Sequence, residues 1–293
     1  MHKAGFVNIV GNPNVGKSTL MNQLVGEKLS IATFKAQTTR HRIMGIVNTE
    51  DTQIVFSDTP GVLKPNYKMQ EMMLLFSESA LADADILLYV TDVVEDPEKN
   101  MDFLEKVSKM SIPVILLINK IDESDQKTLG NLVTKWHGLL PNAEILPISA
   151  KNKFGVDILL KRVHELLPES PAFFDKDQLT DKPAKFFVSE IIREKILRYY
   201  DKEIPYSVEV VVERFKEDDR QIHISAIIYV ERSSQKGIII GHQGMALKKV
   251  STEARKSLER FFDKKIFLET FVKVDKDWRN SQKELKHFGY SPE

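Results

Sequence analysis

The 293-residue sequence predicts an α/β fold, a doubly wound and mostly parallel sheet, followed by a second, smaller α+β domain. Three observations carry that prediction. Short apolar runs at residues 6–10, 54–56, 86–90, 114–118 and 145–148 alternate with helical patterns, as strands buried on both faces of a parallel sheet do. Residues 41–49 are mixed in character and join 53–56 through the polar turn Thr49-Glu50-Asp51-Thr52, so a hairpin should add one antiparallel edge strand. Further on, Val208, Val210 and Val212 alternate with Glu209, Val211 and Glu213, and Ile222, Ile224, Ala226 and Ile228 alternate with His223, Ser225 and Ile227. That period of two marks strands covered on one face and hence a separate sheet.

The first domain takes residues 1–167. A linker is read at 168–183 from Pro168-Glu169-Ser170-Pro171, the acidic residues after it and Pro183, because prolines and short polar residues break both periodicities. The second domain, 184–293, reads as a helix over 185–200, strands over 207–215 and 221–230, a helix after Gly244, a strand over 265–274 and a terminal helix from Asp277.

Lys+Arg and Asp+Glu are equal at 42 each, but residues 1–183 hold 20 basic and 24 acidic side chains, which leaves 22 and 18 for the remainder. The basic excess makes the C-terminal part the better partner for a polyanion. The absence of cysteine excludes disulfides, thiolate metal sites and a cysteine nucleophile. The N-terminus lacks the pattern of a secretory leader, and no apolar run approaches the ~20 residues that span a bilayer. A cytoplasmic monomer is expected, with peripheral contact at the inner membrane face left open.

The chemistry begins with Gly11-Asn12-Pro13-Asn14-Val15-Gly16-Lys17-Ser18-Thr19, placed between a predicted strand and a predicted helix. Glycines at both ends let backbone N–H groups turn around a phosphate at the positive end of the following helix. Lys17 would reach the β/γ-phosphates, and the Ser18 hydroxyl would ligate Mg²⁺. Ser57-Asp58-Thr59-Pro60-Gly61 closes a strand, where a carboxylate can hold the Mg²⁺ shell and the Gly61 N–H can meet a γ-phosphate. Asn119-Lys120-Ile121-Asp122 closes another. A carboxylate there accepts bonds from guanine N1–H and its exocyclic amine, a pattern adenine cannot supply. Ser149-Ala150-Lys151 follows the next strand, with backbone N–H groups aimed at guanine O6. All four motifs lie at carboxyl ends of predicted strands, the rim where open α/β sheets bind ligands. Between the first helix and the hairpin, Lys35-Ala36-Gln37-Thr38-Thr39-Arg40 offers a threonine that could complete the metal shell. Thr39 is favoured and Thr38 is kept as the alternative.

With these motifs and the segment Gln37-Thr38-Thr39-Arg40-His41, the sequence resembles the translation-factor-related GTPases, and specifically the Era family, over nearly its whole length. The resemblance implies GTP hydrolysis with bound GTP/GDP and Mg²⁺, coupled to assembly of the small ribosomal subunit. Lys17, Asn14, Thr39 and Gly61 would then be the catalytic set. Val62 stands where Ras-like enzymes place a water-orienting glutamine. Era-like enzymes share this apolar replacement, and several relatives recruit K⁺ through the asparagine of the phosphate loop, here Asn14, in place of an arginine finger.

The second constellation is Lys236-Gly237-Ile238-Ile239-Ile240-Gly241-His242-Gln243-Gly244, followed by Met245-Ala246-Leu247-Lys248-Lys249. A Gly-x-x-Gly between an apolar run and a helix can clamp about four nucleotides. In this α-β-β-α-β order it matches a KH domain of the prokaryotic arrangement, as the resemblance also implies. The bases would lie on apolar surface at Ile238 to Ile240. Family members usually carry a basic residue at His242, so phosphate attraction should rest more on Lys236, Lys248, Lys249 and Arg255. The resemblance implies single-stranded RNA at the 3′ end of 16S-type rRNA as the partner. Two other classes compete, a P-loop ATPase or small-molecule kinase and a GTP-gated protein-binding module. The first is disfavoured by Asn119-Lys120-x-Asp122 and the second by the Gly-x-x-Gly loop with its lysines. Trp136 and Trp278 are read as core, and His41, His137, His164, His223 and His287 show no metal-ligand spacing.

Overall fold

Six strands form the first sheet: β1 (Lys3–Gly11), β2 (Ile43–Asn48), β3 (Thr52–Asp58), β4 (Ile86–Asp92), β5 (Val114–Asn119) and β6 (Glu144–Pro147), in the order β2-β3-β1-β4-β5-β6. The computed structural model describes residues 2–290. Only β2 runs antiparallel, paired from Ile43↔Asp58 to Asn48↔Gln53, so the expected hairpin supplies the edge strand. Every residue of β3 and β4 is buried, the burial that the unbroken apolar runs required.

Helices α1 (Lys17–Val25), α2 (Lys68–Ala82), α3 (Met101–Ser108) and α4 (Gln126–Leu139) connect the strands, and α5 (Val156–Leu166) follows β6. Phe103, Leu104 and Val107 of α3 and Trp136 of α4 pack on Leu87, Tyr89, Leu116 and Ile118. Each fully buried side chain of this size contributes roughly 1.5–3 kcal/mol. Helix α1 lies against β1, β2 and β3 and touches α5. Parallel strands place their carboxyl ends on one rim, which puts the loops after β1, β3, β5 and β6 side by side.

The chain divides between Asp181 and Lys182 into two compact units. The proline-containing segment before that point is no loose tether. Pro168 O accepts from Ala4 N at 3.2 Å and Leu179 O from Ile46 N at 2.8 Å. The buried Gln53 carboxamide accepts from the N–H groups of Phe173 and Phe174 at 2.7 and 3.0 Å and donates to Phe174 O at 2.8 Å. The segment thereby covers the outer edge of β2, a surface that natural sheets keep from pairing with other chains.

In the second unit, α6 (Ala184–Tyr199), α7 (Ile204–Ser207), β7 (Glu209–Glu217), β8 (Gln221–Val230), α8 (Ser233–Ile240), α9 (Met245–Phe262), β9 (Lys265–Val274) and α10 (Gln282–His287) follow in order. The sheet is β7-β8-β9, with β7 antiparallel and β9 parallel to β8. Val188, Ile192 and Ile196 of α6 and Val250, Ala254 and Leu258 of α9 pack on Ile222, Ile224, Ala226 and Ile228.

Two expectations shift, and one run left without an element gains one. Ser207 ends a helical turn, and β7 starts at Glu209, because Pro205 at the start of α7 favours helix initiation. The apolar run Ile238 to Ile240 is the last turn of α8. Asp277 precedes a single turn at Trp278–Asn280, and α10 begins at Gln282. Trp136 and Trp278 are buried. No helix of the described residues is long and apolar enough to cross a membrane.

Candidate nucleotide site and nucleic-acid interface

The loop from Gly11 to Lys17 is built on two glycines that no other residue could replace without displacement. A Cβ on Gly11 would stand 2.1 Å from Val90 O, and one on Gly16 2.3 Å from Asn119 Nδ2. Both have positive φ, 146° and 96°. Gly16 caps α1 without a side-chain bond, which leaves the helix's first N–H groups to an anion. Lys17 Nζ folds back to donate to Gly11 O at 3.0 Å and Asn12 O at 2.7 Å. Burial drives its ammonium down from 10.5 to about 8, against the attraction of Asp58 and Glu95.

Ser18 and Thr39 hydroxyls lie 2.8 Å apart, and Thr39 Oγ1 donates to Asp58 Oδ2 at 3.2 Å. Thr38 turns elsewhere, to Thr33 at 2.8 Å and Lys35 O at 2.5 Å. The geometry therefore brings Thr39, rather than Thr38, to Ser18. Asp58 is fully buried, and burial raises its pKa, opposed first by Lys17 and then by the hydroxyls of Ser18, Ser30 and Thr39. Its Oδ1 has no hydrogen-bond partner. An orphaned carboxylate oxygen beside two hydroxyls is a donor set suited to a hard dication.

At the other end, the buried Asn119 donates to Val15 O at 2.8 Å and accepts from Ala150 N at 2.9 Å. It braces the phosphate loop to the loop after β6. Ser149 Oγ donates to Asp122 Oδ1 at 2.5 Å, and this bond is the main cause holding the Asp122 carboxyl below its ordinary value. An ionised acceptor therefore stands at the cleft. Lys120 pairs with Asp92 at 2.5 Å. Of the N–H groups at residues 149–151, Ser149 N donates to Phe154 O and Ala150 N to Asn119 Oδ1.

Asn14, Lys17, Ser18 and Thr39 share the lining of one cleft of about 430 Å³ with Asn119, Lys120, Asp122 and Lys151; Asp58 and Ala150 are not part of that lining. Ile31 and the fully exposed Phe34 also line it. No motif marked those two, since their role comes from how the loop after α1 folds. Asn22 shapes that loop by accepting from Leu29 N and Ser30 N, both at 2.9 Å. Glu95 is a further residue no pattern marked; it accepts from Thr91 Oγ1 at 2.8 Å, and its pKa is raised by burial.

In the second unit the Gly-x-x-Gly loop joins α8 to α9. Gly241, Gln243 and Gly244 have φ of 71°, 49° and 75°, and a Cβ on Gly241 would come 2.6 Å from the Ala246 Cβ. His242 and Gln243 project to solvent, as do Lys248 and Lys249 on the first turns of α9. Lys249 also lies 4.6 Å over the Tyr199 ring. Of the apolar run, Ile238 is exposed and Ile240 half-buried, but Ile239 is wholly in the core. Gly237 is exposed and Lys236 half-buried on α8. Arg255 is bound to Glu259 at 2.7 Å, so its charge is largely answered from within its own helix.

A phosphate loop at a helix start, a buried carboxylate beside two hydroxyls and a base-end carboxylate on one rim of a doubly wound sheet define a P-loop GTPase, here joined to a KH domain. Residues 6–120 match the model of the family described as a 50S ribosome-binding GTPase, and residues 203–279 that of the KH domain. The chain is 44% identical over 292 residues to the GTPase Era of Clostridium kluyveri, spanning 99% of this chain and all of that one. It is 47% identical over 290 residues to that of a Geobacter species, with 98% of each covered. Its fold superposes on a crystal structure of Era in complex with MgGDPNP and nucleotides 1506–1542 of 16S ribosomal RNA, with a TM-score of 0.95, 37% identity and full coverage of both chains. It likewise resembles a single-residue variant of Aquifex aeolicus Era bound to GDP·AlF4⁻, with a TM-score of 0.94 and 37% identity over 99% of this chain and all of that one. The chain belongs to the GTPase Era family, and it is a GTP-hydrolysing enzyme.

Proposed function

We propose that this GTPase binds single-stranded RNA at the 3′ end of 16S-type rRNA through its Gly241–Gly244 loop and assists small-subunit assembly. The observation that carries the reading is a preformed guanine-nucleotide cleft and an open Gly-x-x-Gly loop between two helices in one chain. The Era complex with an rRNA fragment supports the choice of partner. Phosphates would lie across the N–H groups at the start of α9 and near Lys248 and Lys249, with bases against Ile238 and Ile240. On this reading one chain carries both switch and clamp, so a cytoplasmic monomer suffices; contact with the inner face of the membrane would be peripheral.

In the cleft, Ser18 and Thr39 with Asp58 would hold Mg²⁺, which supplies charge neutralisation at the phosphates. Lys17, displaced from its loop carbonyls, would take the β- and γ-phosphate oxygens, and the Gly61 N–H would meet the γ-phosphate. Asp122 would accept from guanine N1–H and its amine, while the Lys151 N–H would meet O6. Asn14, exposed on the cleft with φ of 67°, would be a K⁺ ligand answering the absence of a polar side chain at Val62. Equal GTP turnover in K⁺ and Na⁺ buffers would remove that last assignment.

The test is the affinity for a labelled oligonucleotide matching the rRNA 3′ end and for a scrambled one, each with a GTP analogue and with GDP. Preference for the matching sequence, altered by the nucleotide, is expected. Equal affinity for both sequences overturns the choice of RNA, and indifference to nucleotide overturns the coupling.

A further inference from the structure

Asn100 precedes α3, where an asparagine ordinarily accepts bonds from the helix's first N–H groups. Here it makes no capping bond. Its carboxamide nitrogen donates instead to Asn12 Oδ1 in the phosphate loop and to the carbonyl oxygen of Val62 at 3.2 Å. Val62 directly follows Gly61, and its own N–H donates to Gly11 O at 3.0 Å. Both backbone polar groups of Val62 are thus held, one by the phosphate loop itself and one by a side chain that also grips that loop. Its side chain is buried in the core. Gly61 is pressed so close that a Cβ on it would come 2.7 Å from Pro13. Asn12 is 3% exposed and is backed in turn by Glu95, itself held by Thr91.

We infer that Asn100 is a positioning residue for GTP hydrolysis, a latch that ties the Asp58–Gly61 turn to the phosphate loop through Val62. It sets where the Gly61 N–H stands relative to a third phosphate. The inference rests on the nucleotide occupying the phosphate loop as assigned above. The latch needs a hydrogen-bond donor, because the Val62 carbonyl can only accept. Capping α3 would need only an acceptor. The two roles therefore make opposite demands on the side chain, and Asn100→Asp separates them: a carboxylate is as good a cap as asparagine and cannot donate to Val62.

The experiment compares the full-length parent, Asn100→Ala and Asn100→Asp in melting temperature, GDP affinity, and kcat and KM for GTP. GDP lacks the phosphate that Gly61 addresses, so both variants should bind it within about twofold of the parent while kcat falls about tenfold or more at little-changed KM. Both variants should melt below the parent, because Val62 O and Asn12 Oδ1 lose their donor. Parental turnover in Asn100→Asp, or its recovery relative to Asn100→Ala, would make Asn100 a helix cap and overturn the latch. A parent that binds no GDP would instead overturn the nucleotide assignment on which the latch depends.

Discussion

Asn119 offers the sharpest test of how the nucleotide site is built, because its side chain joins two loops that no backbone bond connects. Replacing it with alanine removes the donor to Val15 O and the acceptor for Ala150 N, bonds of 2.8 and 2.9 Å made at a side chain 2% exposed. A buried polar group left unpaired costs about 1–3 kcal/mol, so the two together should cost about 2–6 kcal/mol. For a domain of this size each kcal/mol lowers the midpoint by about 2–4 °C, which predicts a fall of about 4–24 °C. The assay is thermal unfolding without nucleotide, following the transition that added GDP protects, since that transition reports the domain carrying the cleft. Asn119→Asp keeps the acceptor for Ala150 and loses only the donor to Val15, so it should fall between parent and alanine. A midpoint for Asn119→Ala within about 1 °C of the parent would refute the bracing argument.

Lys17 makes nucleotide binding pH-dependent. Burial depresses its pKa to about 8, so between about 8 and 10.5 the unfolded chain holds a proton that the folded one has released, and Lys17's contribution to stability rises across that window. Phosphate binding restores the charge, so GDP affinity should fall above pH 8 with net proton uptake, by at most about tenfold per pH unit; calorimetry at pH 9 in two buffers showing no uptake would contradict this. His242→Asp combined with Gln243→Asp places two carboxylates at exposed positions of the loop, and should abolish RNA binding with GTP turnover intact, as filter binding and phosphate release would show. Gln53→Ala strips the N–H groups of Phe173 and Phe174 of their acceptor and should cost about 2–6 kcal/mol locally. Hydrogen exchange at residues 171–176 should accelerate, and unchanged protection would show that other contacts hold the segment.

How much of this was legible beforehand can be judged residue by residue. The five parallel strands and the antiparallel edge were readable because burial on both faces forces unbroken apolar runs and burial on one forces alternation. Helix α8 has no counterpart in the sequence reading, because the three residues Ile238 to Ile240 are too few to separate a helix end from a strand. Residues 168–183 read as a linker by composition, yet the stretch bonds back to the first sheet, through Pro168 O to Ala4 of β1, Leu179 O to Ile46 of β2 and the Gln53 carboxamide of β3, partners that no local pattern announces. The choice between Thr38 and Thr39 was equally closed to the sequence, because adjacent residues of one kind differ only in where the loop turns them.

The chemical identity of the site is written in local spacing. The spacing Gly11 to Ser18, the Asp58 and Gly61 pair, and Asn119 with Asp122 each state which atoms can meet phosphate, metal or base, because those demands are local in the chain. Which partners those groups find within the chain is settled by folding. It turned Ala150 N inward to Asn119, left Asp58 Oδ1 without a partner, joined Thr39 to Ser18, and drew Asn100 across to Asn12 and Val62. Those outcomes depend on distances between segments up to about a hundred residues apart, and hydrogen-bond satisfaction in a packed interior is settled by what folding brings together, not by what lies adjacent in the chain.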